Sequence, residues 1–328
     1  PEMTNKDSDL YRAHPDWILH TPGRNASHGR YQYVLDFSRK EVVEYIYEMM
    51  AKILSEAKVS YIKWDMNRSI TECYSVALPA DRQGEVFHRY ILGVYDLYER
   101  LTSEFPEVLF ESCSSGGGRF DPGMLYYAPQ GWTSDDSDAI ERLKIQYGTS
   151  LCYPISSMGS HVSVIPNHQV FRKTPLHTRA NVAYFGTFGY ELDLNSLKEE
   201  EIAEVKEQII FMKKYRKLFQ FGDFYRLKSP FEGNETIWMV VSEDKKTAIV
   251  GYYRTLNGVN QAYSRIKLQG LDPDMLYENI LNKTENYGDE LMNFGLITTD
   301  VTAGEVPGDA TPCTDFESRI YILKAKEK

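Results

Sequence analysis

The octapeptide Tyr61-Ile62-Lys63-Trp64-Asp65-Met66-Asn67-Arg68 puts an acid, an amide and two bases at the end of a short apolar run. Residues 59–64 read as a buried strand, and strand tips are where the active sites of β/α barrels collect. A carboxylate at such a tip needs compensating partners. Asp65 stands between Lys63 and Asn67, so the octapeptide raises the question of a second acid elsewhere.

Outward from that strand, elements alternate. Ser38-Arg39-Lys40-Glu41 matches a capping box, and Val42, Val43, Ile46, Met49, Met50, Ile53 and Leu54 follow at helical spacing. A second helix is predicted over 85–103, presenting Val86, Tyr90, Val94, Leu97, Tyr98 and Leu101 on one face. Pro106 ends it, and Val108-Leu109-Phe110 begins the next strand. Gly131-Trp132-Thr133 is a further strand, followed by a helix over 139–147. Shorter apolar segments lie at 151–155 and 182–188. Ser196-Leu197-Lys198-Glu199 is a second capping box, opening a helix to about Phe219. Residues 1–37 show no period and read as loop.

This rhythm implies parallel strands covered by helices, about five strand–helix units before residue 222. A closed eight-unit barrel takes about 250 residues, so the missing units would precede Pro1. Periodicity alone also admits an open doubly wound sheet. After Gly222 the texture becomes short β-rich runs at 236–242, 247–253, 265–268 and 319–323, with Asn257-Gly258 as a hairpin signal. The expected fold class is α/β. Residues 1–225 read as part of a TIM-type β/α barrel, and 226–328 as an antiparallel β-sandwich domain.

Bulk properties narrow the function. A net charge of −10 disfavours nucleic acid and anionic membranes as partners. No apolar run approaches the roughly 20 residues that span a bilayer. Cys73, Cys113, Cys152 and Cys313 lack metal-ligand spacing and suggest no disulfide framework, which points to the cytoplasm. No His pair has ligand spacing on a helix, so neither a metal nor a cofactor is expected. The 24 Tyr and four Trp suit a sugar site and an ordinary core alike. The chain starts at Pro1 without an initiator Met, which reads as a cut terminus.

Three strand tips carry the chemistry: residues 63–68, residues 111–119 with Gly116-Gly117-Gly118, and residues 132–138. Two acids on neighbouring barrel strands can face each other across a cavity, the pairing that glycoside hydrolysis requires. Lys63 favours the ionised Asp65 that a nucleophile needs, and Asp136 and Asp138 favour the protonated form of Asp135 that a general acid needs. Asp138 doubles as a possible N-cap for the helix near Ala139. Cys113 has no His motif beside it and reads as a spectator or substrate-contacting thiol. The glycine run lacks the order of a phosphate loop, and the sequons at Asn25, Asn67, Asn234 and Asn282 are chance matches.

Residues 63–68, 111–119 and 132–138, with His14-Pro15-Asp16-Trp17 and Gly29-Arg30-Tyr31, together resemble the family 36 glycoside hydrolases, the bacterial α-galactosidases. The resemblance covers about 1–225, with the β domain following in its expected place. It implies retaining hydrolysis of terminal α-galactosides such as melibiose and raffinose through a covalent galactosyl-enzyme. The family nucleophile falls on Asp65 and the acid/base on Asp135, with Asp136 one residue away. Arg30, Lys63 and Asn67 match positions expected to bind galactose hydroxyls. Cys113, Gly116 and Gly117 match the wall beside the 2-hydroxyl, and Trp64, Met66 and Trp132 are expected at the pocket. The family's N-terminal β-sandwich, first barrel strands and paired-Asp motif are absent. The chain therefore reads as strands four to eight plus the β domain, nearly inactive alone and a homotetramer when whole. A galactosyl transferase of the same family and a non-catalytic sugar-binding or assembly module are the alternatives.

Overall fold

The computed structural model describes residues 1–259, 264–298 and 315–326. The chain forms two compact units, Pro1–Asp135 and Asp136–Lys328. Compactness thus divides it elsewhere than composition does. Cys73, Cys113 and Cys152 are free thiols, while Cys313 lies outside the described residues. Among the described residues no helix is long and apolar enough to cross a membrane.

In the first unit, strands β1 (Met3–Asn5) and β2 (Gln32–Val34) pair antiparallel around the short helix α1 (Asp9–Ala13). The sequence reading has only loop here, because strands of three residues are too short to display a period. Helix α2 (Lys40–Glu56) leads into β3 (Tyr61–Asp65), and α3 (Val86–Glu104) into β4 (Leu109–Cys113). Helix α4 (Pro122–Tyr127) then precedes β5 (Gln130–Gly131). The three strands are parallel in the order β3-β4-β5, with Asp65 opposite Cys113 and Glu111 opposite Gln130.

The predicted face of α3 is the buried one. Its side chains share a core with Val42 and Val43 of α2, Trp64 of β3 and Phe110 of β4. The first capping box does not form. Buried Asp36 accepts the Ser38 N–H at 3.1 Å and the Ser38 hydroxyl, and Glu41 accepts from Arg39 Nε at 2.8 Å. A buried carboxylate has the greater need of donors, so it takes Ser38 from the helix end. Glu2 is fully buried as well, and accepts from Trp64 Nε1 and Arg119 Nη1 at 2.9 Å and from the Tyr90 hydroxyl.

The second unit opens with α5 (Ala139–Ser150), whose N-cap is Asp138; its Oδ2 accepts from the N–H of Ile140 and Glu141 at 3.1 Å. Strands β6 (Gly159–Ser163) and β7 (Thr187–Glu191) pair parallel around α6 (Leu176–Ala183). The apolar segments at 151–155 and 182–188 were therefore imperfect guides. The first precedes β6, and the second straddles the end of α6 and the start of β7. Helix α7 (Glu199–Phe221) takes Lys198 as its N-cap, two residues after the expected Ser196, with Glu201 accepting the Lys198 N–H at 3.0 Å.

The β-rich region adds β8 (Asp223–Lys228), β9 (Glu235–Val241), β10 (Thr247–Arg254), β11 (Arg265–Ile266), β12 (Leu276–Asn279), β13 (Glu285–Tyr287), helix α8 (Gly288–Asn293), β14 (Leu296–Ile297) and β15 (Glu317–Ala325). Six strands make an antiparallel sheet in the order β13-β12-β15-β10-β9-β8. Among the described residues β10 and β11, the strands that the expected Asn257-Gly258 hairpin would join, do not pair with each other. β10 pairs with β9 and β15 over its length, β11 pairs with β14, and the Asn257 N–H donates to Asp315 Oδ1 at 2.8 Å. An eight-residue ladder to β15 outweighs what a local turn offers.

This sheet is welded to the preceding helices, which is why the unit begins at Asp136. Thr178 and Asn181 of α6 bond Ser318 of β15 at 2.9 and 2.8 Å, and Tyr253 donates to the Asn181 carbonyl at 2.6 Å. Trp238 of β9 is buried against Phe185, Phe224 and Tyr253, with ring centroids 5.5, 6.3 and 5.3 Å away. Trp238→Ala should therefore cost about 3–5 kcal/mol in denaturant unfolding; a loss under about 1 kcal/mol would refute this packing account.

Glu235 supplies a pH prediction. Burial opposes its ionisation, but Lys228, the Ser264 hydroxyl and the Tyr252 hydroxyl outweigh it and hold the carboxyl below its ordinary value of 4.5. A depressed folded value means stability present above pH 4.5 and lost as pH falls through the folded value. Melting temperature should fall on acidification below that point, and Glu235→Gln should flatten part of the slope. An unchanged slope in the variant would remove Glu235 from the account.

Candidate active site

Alternation along β3 sorts the octapeptide into two faces. Trp64 is 1% exposed, stacks on Tyr98 with centroids 4.1 Å apart, and donates its indole N–H to Glu2. Met66 is buried in the same core. Both were expected at the pocket, and both point away from it, since neighbours in a strand cannot share a face.

Lys63, Asp65 and Asn67 take the other side. Asn67 Nδ2 donates to Asp65 Oδ2 at 2.5 Å, and Ser115 donates to Asn67 Oδ1 at 3.3 Å. Asp65 Oδ1 is buried and takes no hydrogen bond from the described residues. One carboxylate oxygen is thus anchored by Asn67. The partner of Lys63 differs from expectation: its Nζ pairs with Glu111 Oε1 at 3.6 Å, and it stands 4.8 Å over the Trp132 ring.

The loop after β4 joins the tips. The Met66 N–H donates to the Cys113 carbonyl at 3.0 Å, and Ser114 Oγ to the Met66 carbonyl at 3.1 Å. Gly116 has φ +83°, and a Cβ there would meet Asp135 N and Ser134 Cα at 2.9 Å. At Gly117 a Cβ would meet the Thr133 carbonyl at 2.5 Å. The two glycines therefore seat their backbone against residues 133–135, which any larger residue would displace. Trp132 Nε1 donates to Asp135 Oδ1 at 3.1 Å. Trp132 is itself buried, so it holds Asp135 more than it lines a cavity.

The two neighbours of Asp135 do other work. Asp136 Oδ1 accepts the Asp138 N–H at 3.0 Å, and Asp138 caps α5 and pairs with Arg172. Burial pushes the Cys113 thiol up to about 12, helped by its hydrogen bond to Asp65 and by that carboxylate's charge, against the Gly116 N–H that lowers it. A thiol so held is protonated at neutral pH and is no nucleophile. Among the described residues no group of three His, Cys, Asp or Glu side chains is placed to hold a metal ion.

Arg30 lies on an exposed turn with φ 54°. What ties that turn to β3 is Arg68, which the sequence reading left without a role. Its Nε donates to the Gln32 carbonyl at 3.2 Å and its Nη2 to the Ser27 carbonyl at 2.8 Å. Ser115 and Glu111 were also passed over as site residues. Their signal was adjacency to Cys113 within the second tip.

The melibiase family model matches residues 1–222, and that of the glycosyl hydrolase family 36 C-terminal domain matches residues 235–323. The chain is 56% identical over 330 residues to alpha-galactosidase AgaA of Geobacillus stearothermophilus, covering 100% of this chain and 43% of that protein. It is 48% identical over 325 residues to alpha-galactosidase Mel36A of Lactobacillus acidophilus, covering 99% and 43%. The crystal structure of the alpha-galactosidase from Lactobacillus brevis matches with a TM-score of 0.95 at 50% identity, over 100% of this chain and 44% of that one. A variant of AgaA in complex with raffinose matches with a TM-score of 0.93 at 52% identity, over 99% and 44%. The chain thus spans less than half the length of these relatives. With one family model laid over the strand tips that carry Asp65 and Asp135, and the other over the antiparallel sheet, the chain belongs to the glycoside hydrolase family 36 melibiases.

Proposed function

We propose that the whole protein is a retaining α-galactosidase acting on terminal α-D-galactosides of the melibiose and raffinose type. The observation that carries this reading is Asp65, with one oxygen anchored by Asn67, at the tip of β3 and opposite Cys113, from which the β4 loop runs to pack against Asp135. Its relatives support the substrate class: AgaA variants have been solved with raffinose and with stachyose bound.

In the first step an Asp65 oxygen attacks the anomeric carbon while the glycosidic C–O bond breaks. Asp135 delivers its proton to the departing oxygen. In the second, Asp135 takes a proton from water, whose oxygen bonds the anomeric carbon and releases Asp65. Net retention follows, and the two carboxyls belong about 5–5.5 Å apart. Arg30, Lys63 and Asn67 would bind galactose hydroxyls, with Cys113, Gly116 and Gly117 forming the wall by the 2-hydroxyl. Trp132 would position the acid/base. No cofactor or metal enters this scheme.

The same reading places residues 1–225 in a TIM-type barrel and 226–328 in a β-sandwich domain. The family-model bounds and the two parallel strand sets before residue 222 support that division. A cytoplasmic homo-oligomer, a tetramer by family likeness, completes the proposal.

In the whole protein, Asp65→Asn should lower kcat at least about 1,000-fold while sparing galactose binding. A 2-fluoro galactosyl fluoride should label Asp65, read by peptide mass spectrometry. Label on another residue, or turnover surviving in the variant, would end the assignment. Asp135→Asn should cost about 10²–10⁴-fold on a sugar aglycone and much less on a good aryl leaving group. Equal losses on both would take the acid role from Asp135. Product analysis with added sucrose or raffinose separates hydrolysis from galactosyl transfer.

A further inference from the structure

Glu111 is 2% exposed in the middle of β4, opposite Lys63 on one side and Gln130 on the other. Its Oε2 accepts the Tyr61 hydroxyl and the Gln130 amide, the latter at 3.0 Å. Gln130 also donates to Tyr61 Oη at 3.2 Å, closing a triangle of three side chains from three adjacent strands. Glu111 Oε1 takes no hydrogen bond from the described residues and faces Lys63 Nζ at 3.6 Å. Burial first, then Glu111, raises the Tyr61 hydroxyl's proton affinity, so Tyr61 stays a donor.

Glu111 is thus a buried acid with two fixed donors on one oxygen and a mobile cation on the other. A lysine on a flexible stem is held in one place only if something fixes its ammonium. Here Glu111 draws it from below, and the Trp132 ring takes it on its face at 4.8 Å. The same indole donates to Asp135 Oδ1. The contacts run Tyr61 and Gln130 to Glu111, Glu111 to Lys63, Lys63 to Trp132, and Trp132 to Asp135.

We propose that Glu111, clamped by Tyr61 and Gln130, is a positioning residue that fixes Lys63 on the face of Trp132 and so aims Asp135. This rests on the reading of Asp65 and Asp135 as the catalytic pair. A purely structural ion pair would have a different signature, since replacing it matters to folding wherever Lys63 goes.

The test is a double-mutant cycle in the whole protein, with Glu111→Gln, Lys63→Met and the double variant assayed on an aryl α-galactoside and on raffinose. Glu111→Gln should lower kcat/KM by about 10–100-fold, as expected of a misplaced acid. In the Lys63→Met background the same change should cost less than about twofold, because its route to Asp135 is already cut. An equal cost in both backgrounds overturns the proposal. If Glu111→Gln does not fold, Tyr61→Phe carries the cycle in its place, with a smaller loss and the same criterion. A second readout needs no turnover: the indole N–H resonance of Trp132, assigned among the four Trp by Trp132→Phe. It should move in both single variants. A wild-type protein inert on α-galactosides would defeat the functional reading, while the resonance would still decide the linkage. An active protein with an unmoved resonance and an additive cycle would defeat the linkage alone.

Discussion

The parallel pairing of β3 with β4 is the constraint on which the first unit depends. Its register sets Asp65 opposite Cys113 and Lys63 opposite Glu111. A slip of one residue would send Asp65 into the core and bring Trp64 out of it. The core opposes that slip, because Trp64 is stacked on Tyr98 and bonded to Glu2. Packing on one face of β3 thus holds the chemistry on the other.

Backbone contact extends the order to a third strand. β5 is only two residues long, too short to align much by its own ladder. Gly116 and Gly117 press the β4 loop against residues 133–135, and Trp132 ties the Asp135 carboxylate. The acid is placed by a turn and an indole more than by a strand. In the second unit the same economy appears in another form. The antiparallel sheet keeps a core of its own around Met239, Val250, Tyr252 and Leu323, while Thr178 and Asn181 of α6, with Phe185 just beyond it, join the sheet to the preceding helices through hydrogen bonds and aromatic packing.

Much of this was legible in the amino-acid order. The face of α3 follows from six apolar residues at helical spacing, and the Asp138 cap from an acid just before a helix. Elements held by distant partners were not legible. Ser38 leaves its capping box for Asp36, and Asn257 leaves its hairpin for Asp315. β1 and β2 exist because Met3 pairs with Val34 and Asn5 with Gln32, a separation that no local window contains. Trp64 and Met66 were misplaced for a simpler reason: a motif lists residues in line, whereas a strand deals them alternately to two faces.

The sequence by itself determined which residues stand at the three strand tips and the family to which the chain belongs. Tertiary structure alone decided which partners those residues have. Lys63 turned to Glu111, Trp132 to Asp135, and Arg68 to the turn that carries Arg30. Composition and spacing act along the chain, but a charge is compensated by whatever group the fold brings within about 4 Å, and that distance is set by register and burial.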